Sequence, residues 1–600
     1  MFADVQSFVA ALKREGDLVE IDAEVDPTLE LAEIHRRVIA AGGPALSFRS
    51  VKGHDVSVVT NLFGTAGRVE RAFGPRPLAF VEDAVRLVHE LVPPTLGKLW
   101  RERGFFQQGL GIGMKRVGYG PVTEVVDQPA NLDRIPMIKS WPDDGGHFVT
   151  LPLVYTQHPD DGRHNLGMYR VQRHSPTTTG MHWQIGKGGG FHHHVAQQRG
   201  EDLPVTVFVG GPPALILGAI APLPENVPEL LLTSLLYGGR LPMARNPVAG
   251  HPHPLVSTCE YALVGHVKPH DVQPEGPFGD HYGYYSLKHD YPVLHVDAVC
   301  HRRNAVWPAT VVGKPRQEDV YIGDYLTKLL SPIFPLVMPS VKQLWTYGET
   351  GYHSLAAASV EERYQREAMQ SAFRILGEGQ LSLTKFLWLI DGDVDLQDPR
   401  AVLEYLLARF NPETDLYVIS NLSMDTLDYA GPEVNLGSKG VMLGIGDPVR
   451  ELPRSFSGPL PGGVAHAVPF CGGVLVIDGP SHEADPDFLE QVIGKLEGWP
   501  LIVLVDDAER AASTPTRFLW NTFTRFEPAA DIRAARTRVH RHHLVYEGTV
   551  GIDARMKGSY PDELFCDDDT RKTVDRRWAE YFPAGNVEMG DSDAGHLDEA

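Results

Sequence analysis

The 600-residue sequence predicts a mixed α/β protein built from three domains. One hydrophobic core rarely exceeds about 300 residues, so a chain of this length forms several domains. Helical and strand-like segments alternate in residues 1–128, whereas residues 129–345 hold short β-branched or aromatic segments between Gly and Pro. That second pattern is typical of a barrel or a folded-over sheet. Residues 346–600 alternate strands with helices, which is typical of a parallel sheet covered by helices.

The first domain is predicted to begin with an amphipathic helix rather than a signal peptide. The opening MFADVQSFVAALKREGDL has an acid at Asp4 and no basic leader before an apolar core. LVEIDAEVD then predicts a strand, and LELAEIHRRVIAAGG predicts a helix that ends at Gly42 and Gly43.

The last domain is predicted to follow a long connector helix, SLAAASVEERYQREAMQSAFRILGEG. After it, strand-like FLWLID, LYVIS, GVLVID and LIVLVDD alternate with helical VLEYLLARF and FLEQVIGKL. We find no internal repeat in the sequence. The tail from about residue 530 is expected to lie on the surface or to contact a partner.

Composition excludes several classes of protein. With 77 acidic and 55 basic residues the net charge is −22, and no long basic run is present, which argues against nucleic acid or anionic membranes as partners. No apolar run approaches the ~18–20 residues of a membrane span, so we expect a cytoplasmic protein without an integral membrane segment. None of the four cysteines forms a CxxC pair, which argues against a disulfide framework or a thiolate zinc site.

One short segment, PEGPFGDHYGYY at 274–285, places two acids in a loop shaped by proline and glycine. Glu275 and Asp280 are five residues apart, and histidine and tyrosines follow at once. Gly, Pro and Asp are turn residues on backbone grounds alone, so a surface turn is the alternative interpretation.

A second segment, residues 163–194, collects polar residues around a run of glycines. Lys187 followed by glycines 188–190 can present an ammonium and backbone N–H groups to a phosphate, although the order of a P-loop is absent. Three consecutive histidines, 192–194, do not point the same way on a strand or helix, so they are expected to form a solvated turn rather than a zinc site.

Two isolated charged residues have a structural and a functional interpretation. Glu260, in the strand-like PLVSTCEYALVG, is either an exposed strand residue or, beside an Asn carbonyl and a phosphate, part of an oxygen-rich site for Mn²⁺ or Mg²⁺. Lys385 enters a very apolar strand, where a lysine extends to solvent unless a phosphate lies near.

Together these segments resemble the UbiD family of decarboxylases, which use prenylated FMN, over about residues 30–480. The motifs that carry the resemblance are NLGMYR (165–170), TGMHWQ (179–184), GGPPALILGAIAPLP (210–224), CEYALVG (259–265), PEGPFGDHYGYY (274–285), LTKF (383–386) and NLGSKG (435–440). The resemblance implies an N-terminal α/β domain, a central split β-barrel like that of flavin reductases, and a C-terminal Rossmann-like domain.

The resemblance also implies roles for individual residues. Asn165 and Glu260 would bind Mn²⁺ (or Mg²⁺), with K⁺ as a further ion. Arg170, Glu275 and Asp280 would be catalytic, with Glu275 orienting Arg170 and Asp280 delivering a proton. The residues implied to bind prenylated FMN are Met168, Tyr169, Arg170, His182, Trp183, Gln184, Lys187, Gly188 and Lys385.

Two points depart from a simple transfer of these roles. Some family members have a histidine as a third metal ligand near position 186 or 187, and this sequence has none there. A regular strand would also place Asn165 and Arg170 on opposite faces, so we expect a bend near Gly167.

A hidden carboxyl group beside another carboxylate is expected to hold its proton near neutral pH, which would suit Asp280 as an acid.

The implied function is reversible decarboxylation of a small aromatic carboxylic acid, with a dihydroxynaphthoate of menaquinone biosynthesis as the first candidate substrate. Polyprenyl-hydroxybenzoate of ubiquinone biosynthesis, a hydroxybenzoate and a heteroaromatic acid are the alternatives. A flavin oxidoreductase and a non-catalytic partner in a carboxylase complex are the rival classes. The expected partners are a flavin prenyltransferase that supplies the cofactor and further copies of the chain, as a homodimer or a dimer-built hexamer.

Overall fold

The computed structural model describes residues 2–91, 95–183, 188–221, 223 and 228–592, with backbone only at 106–108 and 110. Contacts divide the chain into two compact units. Unit 1 runs to Leu326 and also includes the segment that begins at Glu563, whereas unit 2 runs from Thr327 to Asp562.

The strands are numbered in chain order. They are β1 Leu18–Val25, β2 Ala45–Val51, β3 Val58–Thr60, β4 Met114–Val117, β5 Val125–Asp127, β6 Phe148–Val149, β7 Leu153–Gln157, β8 His164–Gly167, β9 Val171–Arg173, β10 Thr178–Met181, β11 Leu203–Gly210, β12 Leu241–Ala244, β13 Leu255–Val256, β14 Cys259–Glu275, β15 His289–His301, β16 Trp307–Pro308, β17 Val341–Thr346, β18 Leu355–Val360, β19 Phe386–Ile390, β20 Leu416–Ser423, β21 Leu436–Gly444, β22 Ala467–Cys471, β23 Val474–Asp478, β24 Leu501–Val505, β25 Ile532–His540 and β26 His543–Asp553.

The α-helices are numbered in the same way. They are α1 Val5–Glu15, α2 Glu30–Ala40, α3 Ala66–Phe73, α4 Arg76–Glu90, α5 Leu96–Arg101, α6 Arg103–Leu110, α7 Gly188–Arg199, α8 Pro213–Ile220, α9 Glu229–Tyr237, α10 Glu318–Leu330, α11 Phe334–Val337, α12 Glu367–Ile375, α13 Pro399–Arg409, α14 Pro412–Asp415, α15 Phe488–Val492, α16 Ala508–Ala512, α17 Pro515–Arg525, α18 Pro528–Asp531 and α19 Asp568–Tyr581.

The chain begins as the sequence predicts, with an amphipathic helix, a strand and a second helix. Asp4 caps α1, because its side chain accepts a hydrogen bond of 2.8 Å from the backbone N–H of Ser7. Phe8 and Leu12 lie on the buried face of this helix. One hydrophobic cluster then joins residues on both sides of position 128, including Ile21 and Leu263, so both parts lie in unit 1.

The centre of unit 1 is a nine-stranded antiparallel sheet with the order β6-β9-β10-β15-β14-β11-β7-β8, in which β5 also pairs with β15. This sheet confirms the predicted texture of short strands separated by Gly and Pro. Two long strands, β14 and β15, form its middle. Functional side chains can therefore be placed by the ladder position of each residue.

Unit 2 contains two five-stranded sheets, which confirms the predicted alternation of strands and helices. Their orders are β17-β18-β19-β21-β20 and β22-β23-β24-β26-β25. In each sheet three central strands are parallel and both edge strands are antiparallel. The two sheets thus have the same topology.

This shared topology contradicts the expectation from the sequence that the chain has no internal repeat. Helices α13 and α17 each have eleven residues, each starts at a proline, and each is followed by a short helix and an edge strand. The pattern Arg-Phe-x-Pro-x-x-Asp closes both helices, at 409–415 and 525–531. So few shared residues do not stand out in the sequence, whereas the strand order makes the repeat plain.

The predicted connector helix is wrong. Leu355–Val360 is strand β18, which is buried along its whole length and paired on both sides, and only Glu367–Ile375 is helical. Alanine-rich segments favour helices in isolation, but the small side chains of β18 allow a central strand to be covered on both faces. Tertiary burial overrides the intrinsic preference here.

The expectation of a surface tail from residue 530 is also wrong. Residues 532–553 form two strands of the second sheet, and α19 packs on α2 in unit 1. There Arg37 forms an ion pair of 2.8 Å with Asp575, and the Tyr581 hydroxyl donates a hydrogen bond to Glu30. Within the described part of the chain, no helix is both long and apolar enough to span a membrane.

Candidate active site

Arg170 lies where the chain leaves one part of the central sheet for another. Strand β8 ends at Gly167 and pairs with β7, whereas β9 begins at Val171 and pairs with β6 and β10. The chain therefore changes direction at 168–170, which confirms the bend predicted near Gly167. Glu275 is the last residue of β14, so its side chain is set by a long, paired strand.

The predicted catalytic residues form one buried network. The Arg170 guanidinium donates to both carboxylate oxygens of Glu275, through Nε and Nη2, each at 2.8 Å. Its Nη1 donates to Oδ2 of Asp280 at 2.7 Å, and Nη2 also donates to Oγ of Ser286 at 2.9 Å. A planar guanidinium with a bidentate partner has little freedom to rotate, so the geometry is preorganised.

The charges of this network stabilise one another. Burial alone would raise the pKa of Glu275, but hydrogen bonds from Arg170 and His182 and the Arg170 charge lower it to about 2. Burial acts the same way on Asp280, yet the hydrogen bonds and charge of His281, together with the Arg170 charge, hold the pKa of Asp280 below its usual range. Both groups are therefore carboxylates in this arrangement.

The prediction of a proton held on Asp280 near neutral pH is wrong for this arrangement. That prediction rested on burial and on the neighbouring carboxylate, both of which raise the pKa of a carboxyl group. The structure adds two donors to the same group, since the backbone N–H and Nδ1 of His281 each lie 2.8 Å from Oδ1 of Asp280. These donors outweigh the effect of burial, so the pKa of Asp280 is lowered rather than raised.

The loop that carries both acids is held from several sides by residues that the sequence analysis missed. Gln172 accepts from the backbone N–H of Gly276 at 2.7 Å, and Asp144 accepts from that of Gly279 at 2.8 Å. A Cβ on Gly279 would lie 2.1 Å from the Trp141 ring, so only glycine fits there. The turn-rich stretch SWPDDGG was the available signal for this support.

A further acid near the network was also missed. Asp319, at the start of α10, has its pKa raised by burial to about 6; the charge of Asp280 raises it further, and that of His281 opposes the shift. Nothing in the sequence separates this acid from others in the chain. Its closeness to His281 is a result of the tertiary structure.

The tyrosines that follow Asp280 are largely buried and only partly available to a ligand. Tyr282 and Tyr284 are 2% exposed, and Tyr285 packs with Trp141 and Leu564 in a buried cluster. The Tyr285 hydroxyl accepts from the backbone N–H of Asp143 at 3.2 Å. Tyr285 therefore supports the loop.

A second polar cluster surrounds Asn165 and the N-terminus of α7. A Cβ on Gly188 would lie 2.1 Å from Oδ1 of Asn165, so the glycine permits this close approach. Burial raises the pKa of Tyr169, whose hydroxyl faces Asn165 and the backbone N–H of Gly189. Glu229 joins them, because its Oε2 accepts from the backbone N–H of Leu166 at 3.1 Å.

Glu229 is a neighbour of this cluster that no sequence pattern singled out. It is the first residue of α9, a position where an acid normally just favours the helix dipole. Burial raises its pKa, so its charge is not fully compensated by the protein around it. A half-buried carboxylate that bonds the residue next to Asn165 is of a type suited to a cation.

Glu260 lies elsewhere in unit 1. It accepts from Nη1 of Arg302 at 2.9 Å, from Nε2 of Gln6 at 2.8 Å and from the backbone N–H of Val306 at 3.0 Å. Leu166, which is next to Asn165, pairs with Tyr155 on β7, and Tyr155 pairs with Thr206 on β11. Thr206 in turn pairs with Val264 on β14, so Leu166 and Val264 lie at the same level of the sheet. That level is four residues, about 13 Å, along β14 from Glu260. The structure therefore does not bring Glu260 to Asn165.

The other residues implied to bind the cofactor are found in three places. His182 lies against the network of Arg170, Glu275 and Asp280, with Nδ1 3.2 Å from Oε2 of Glu275, and Trp183 follows it and lies close to Gly189 of α7. Met168 is half-buried in the bend between β8 and β9. Gln184 and Lys187 lie outside the described residues. Lys385 lies in unit 2, where it forms a buried ion pair of 2.7 Å with Asp428.

The three histidines predicted to form a solvated turn lie in helix α7. His192 and His193 are buried, and the His192 ring bonds the Thr156 hydroxyl at 2.9 Å. Burial lowers the pKa of His192 to about 4, so this histidine is neutral. The expectation failed because a glycine run started a helix whose inner face meets the sheet. No group of three or more His, Cys, Asp or Glu suited to a metal occurs within the described residues.

Comparison with known proteins identifies the family. Three family models match in order: the 3-octaprenyl-4-hydroxybenzoate carboxy-lyase N-terminal domain at residues 9–88, the Rift-related domain at 115–315 and the C-terminal domain at 320–444. A Chlamydia pneumoniae protein, named as one of the subunits of a 4-hydroxybenzoate decarboxylase, is 46% identical over 582 residues, which is 96% of this chain and 98% of that protein.

Solved structures share the fold. The Sedimentibacter hydroxybenzoicus vanillic acid decarboxylase in closed form has a TM-score of 0.64 at 23% identity, covering 77% of this chain and 96% of that one. An evolved dimeric form of the UbiD-class enzyme HmfF from Pelotomaculum thermopropionicum, in complex with prFMN, has a TM-score of 0.61 at 22% identity, covering 77% and 98%. The three family models and the relative that matches almost the whole chain show the family. The mixed α/β chain with its Arg170–Glu275–Asp280 network belongs to the UbiD family of carboxy-lyases, which are decarboxylases.

Proposed function

We propose that the protein removes CO₂ from a hydroxylated aromatic carboxylic acid with the help of prenylated FMN and a divalent cation. The single observation that carries the proposal is the buried network of Arg170, Glu275 and Asp280 beside the Asn165 cluster. The finer description of the fold is part of it: the nine-stranded sheet is a split barrel, and the sheets of unit 2 are Rossmann-like.

Features of unit 1 fit a flavin phosphate and its aromatic ring system. Nδ2 of Asn165, Nε1 of Trp183 and Nε2 of His182 are buried and have no hydrogen-bond partner among the described residues. Such groups are costly unless a ligand satisfies them. The glycines at the start of α7 leave backbone N–H groups near these atoms, as phosphate binding requires. Met168, Tyr169, Arg170 and Gly188 would complete this part, and we assign Gln184 and Lys187, which the family resemblance implies, as further contacts.

Prenylated FMN, when bound, supplies the electron sink that decarboxylation of an aromatic ring requires and that no side chain provides. Arg170 binds the substrate carboxylate and orients it, while Glu275 holds the guanidinium plane. The bond between the ring and the carboxyl carbon breaks, CO₂ leaves, and the electron pair finally forms a C–H bond. Asp280 delivers the proton of that bond.

Asp280 obtains its proton when the substrate arrives. A second carboxylate near Arg170 adds negative charge beside Asp280 and shares the guanidinium, and both effects raise the pKa of Asp280. His281 bonds the same carboxylate and is 28% exposed, so it connects Asp280 to solvent protons. The network therefore couples substrate binding to protonation of its acid.

The substrate class remains the one that the motifs implied. A dihydroxynaphthoate of menaquinone biosynthesis is our first candidate, and a hydroxybenzoate is the second. The name of the C. pneumoniae relative and the vanillic acid decarboxylase structure favour a phenolic acid in general. We further propose that a flavin prenyltransferase supplies the cofactor and that the chain assembles as a homodimer or a dimer-built hexamer.

The class of reaction is tested by loading and turnover. The chain is expressed with and without a flavin prenyltransferase and purified anaerobically, and the released small molecule is identified by mass spectrometry. Release of CO₂ is then followed with 1,4-dihydroxy-6-naphthoate and 4-hydroxybenzoate. We expect prenylated FMN in the first preparation and CO₂ from one of the two acids. A preparation without any flavin would overturn the proposal.

The metal is proposed to bind Asn165 and Glu229, in place of the Asn165–Glu260 pair that the resemblance implied. Oxygen ligands of this kind suit Mn²⁺ or Mg²⁺, and a cation would offset the burial that raises the pKa of Glu229. K⁺ is a further candidate for the same cluster.

Glu229→Gln is expected to lower the Mn²⁺ content per chain at least about tenfold, because a carboxylate ligand becomes a neutral amide. Metal content is measured by mass spectrometry on folded, Mn²⁺-equilibrated protein. Glu260→Gln is the matched variant and is expected to keep its metal, since Glu260 bonds Arg302 instead. Loss of Mn²⁺ in Glu260→Gln alone would restore the original assignment.

A further inference from the structure

A short segment near the C-terminus contacts the catalytic loop directly. Residues 563–566, which we call the clamp segment, follow the second sheet of unit 2 but belong to unit 1. Glu563 forms an antiparallel bridge with Tyr284, and the backbone N–H of Leu564 donates to the carbonyl of Gly283 at 3.1 Å. The clamp segment thus adds a backbone contact to the end of the loop.

The residues that the clamp segment contacts belong to the turn that holds Asp280. The backbone N–H of Asp280 donates to the carbonyl of Tyr284 at 3.0 Å, and that of Gly283 donates to the carbonyl of Asp280 at 2.9 Å. Leu564 therefore bonds a residue that is itself bonded to Asp280. The clamp segment is therefore linked to Asp280 through the backbone of one residue, Gly283.

Leu564 also fills the space behind the loop. Its side chain is 1% exposed and packs with Trp141 and Tyr285. The backbone N–H of Trp141 donates to Asp144 at 2.9 Å, and the other oxygen of Asp144 accepts from Gly279. Leu564 thus packs against the residues that hold the loop in place.

The clamp segment is itself firmly held. Glu563 forms an ion pair of 2.7 Å with Lys314, whose ammonium lies 3.7 Å from the Phe565 ring centroid. Cys566 interacts with the Arg36 side chain, and the Arg36 guanidinium lies 4.1 Å from the Trp141 ring centroid. Helix α19 follows the clamp segment and packs against α2. The segment is therefore held at both of its ends.

We propose that the clamp segment is a positioning element for the active site, with Leu564 as its central positioning residue. It holds the turn of Asp280 at the place from which a proton reaches the substrate ring. This inference rests on the proposed function for its catalytic part. The family models end at residue 444, so nothing in them assigns a role to these residues.

The test compares Leu564→Ala with Val574→Ala. Val574 is fully buried in α19 and belongs to the main core of unit 1, so its truncation also removes buried methyl groups from the same tail. Hydrogen–deuterium exchange of peptides covering 274–286 is measured for both variants and the unaltered protein. We expect exchange of this loop to increase about tenfold in Leu564→Ala and to be unchanged in Val574→Ala.

Turnover gives the second readout. Leu564→Ala is expected to lower kcat between about 10-fold and 100-fold with KM within about twofold, since misplacement of a reacting group by about 1 Å can cost 10²-fold. Leu564→Met nearly conserves the side-chain volume, so this variant is expected to keep both the loop protection and the kcat of the unaltered protein. The Val574→Ala variant is expected to keep kcat.

The outcomes separate this inference from the proposed function. Unchanged loop exchange in Leu564→Ala, or an equal increase in Val574→Ala, overturns the positioning role. Increased exchange with unchanged kcat overturns it as well, because the loop would then move without consequence for the reaction. Absence of turnover in the unaltered protein contradicts the proposed function instead, while the exchange data still report on the contact.

Discussion

Asp280→Asn is expected to lower kcat about 10²- to 10⁴-fold, the range that a positioned general acid contributes. An amide has almost the same shape as the carboxylate, so it keeps hydrogen bonds within the loop but has no proton of suitable acidity to transfer. Arg170 and Glu275 keep their bidentate pair, and flavin content is therefore expected to remain unchanged. Both quantities are measured on the same preparation, by CO₂ release and by flavin absorbance.

The matched control is Asp143→Asn, which makes the same change on an exposed side chain directly before Asp144. The backbone N–H of Asp143, rather than its carboxylate, contacts Tyr285, so its substitution is expected to leave turnover unchanged. If Asp280→Asn kept more than a tenth of the activity, Asp280 would not be the proton donor. If it lost the flavin, the residue would act in binding.

Arg170→Lys is expected to lower kcat/KM about 10²- to 10³-fold, although the charge is conserved. A lysine ammonium cannot donate in parallel to both oxygens of Glu275 while also reaching Asp280 and Ser286. Two buried carboxylates would then share one flexible ammonium. Leaving a buried charge poorly compensated costs about 3–5 kcal/mol, so we also expect a lower thermal unfolding midpoint.

Arg173→Lys provides the control for that substitution. Arg173 lies on the neighbouring strand β9 and pairs with exposed Asp133 at 2.5 Å. Surface pairs contribute about 0–1 kcal/mol, so turnover and unfolding midpoint are expected to stay close to those of the unaltered protein. Equal losses in both variants would show that the Arg170 effect is a general loss of stability, and would contradict its role in orienting the substrate.

The candidate catalytic residues Glu275, Asp280 and Arg170 could be identified from the sequence because their signals are local. Glu275 and Asp280 lie in one short loop of prolines and glycines, and Arg170 lies in a motif that resembles a known family. The choice between Glu229 and Glu260 is different in kind. It depends on strand register across β8, β7, β11 and β14, which connects residues that are almost a hundred positions apart in the chain.

The protonation of Asp280 shows a similar limit. Burial and a nearby carboxylate can be inferred from the sequence, and both raise a pKa. The lowering contributions come from the orientation of His281 and Arg170, which only the tertiary structure determines. The sign of a pKa shift is a difference between large opposing contributions, so one missing donor is enough to reverse it.

The sequence by itself determined the mixed α/β class, the family resemblance, the opening helix and the three residues of the Arg170–Glu275–Asp280 network as candidates for catalysis. These depend on composition, periodicity and short motifs, which are properties of neighbouring residues. Only the tertiary structure decided that Leu355–Val360 is a central strand, that unit 2 contains the same topology twice, and that residues 563–566 return to the loop at 274–285. Each of these depends on contacts between distant segments, and burial at such contacts overrides the local preference of the chain.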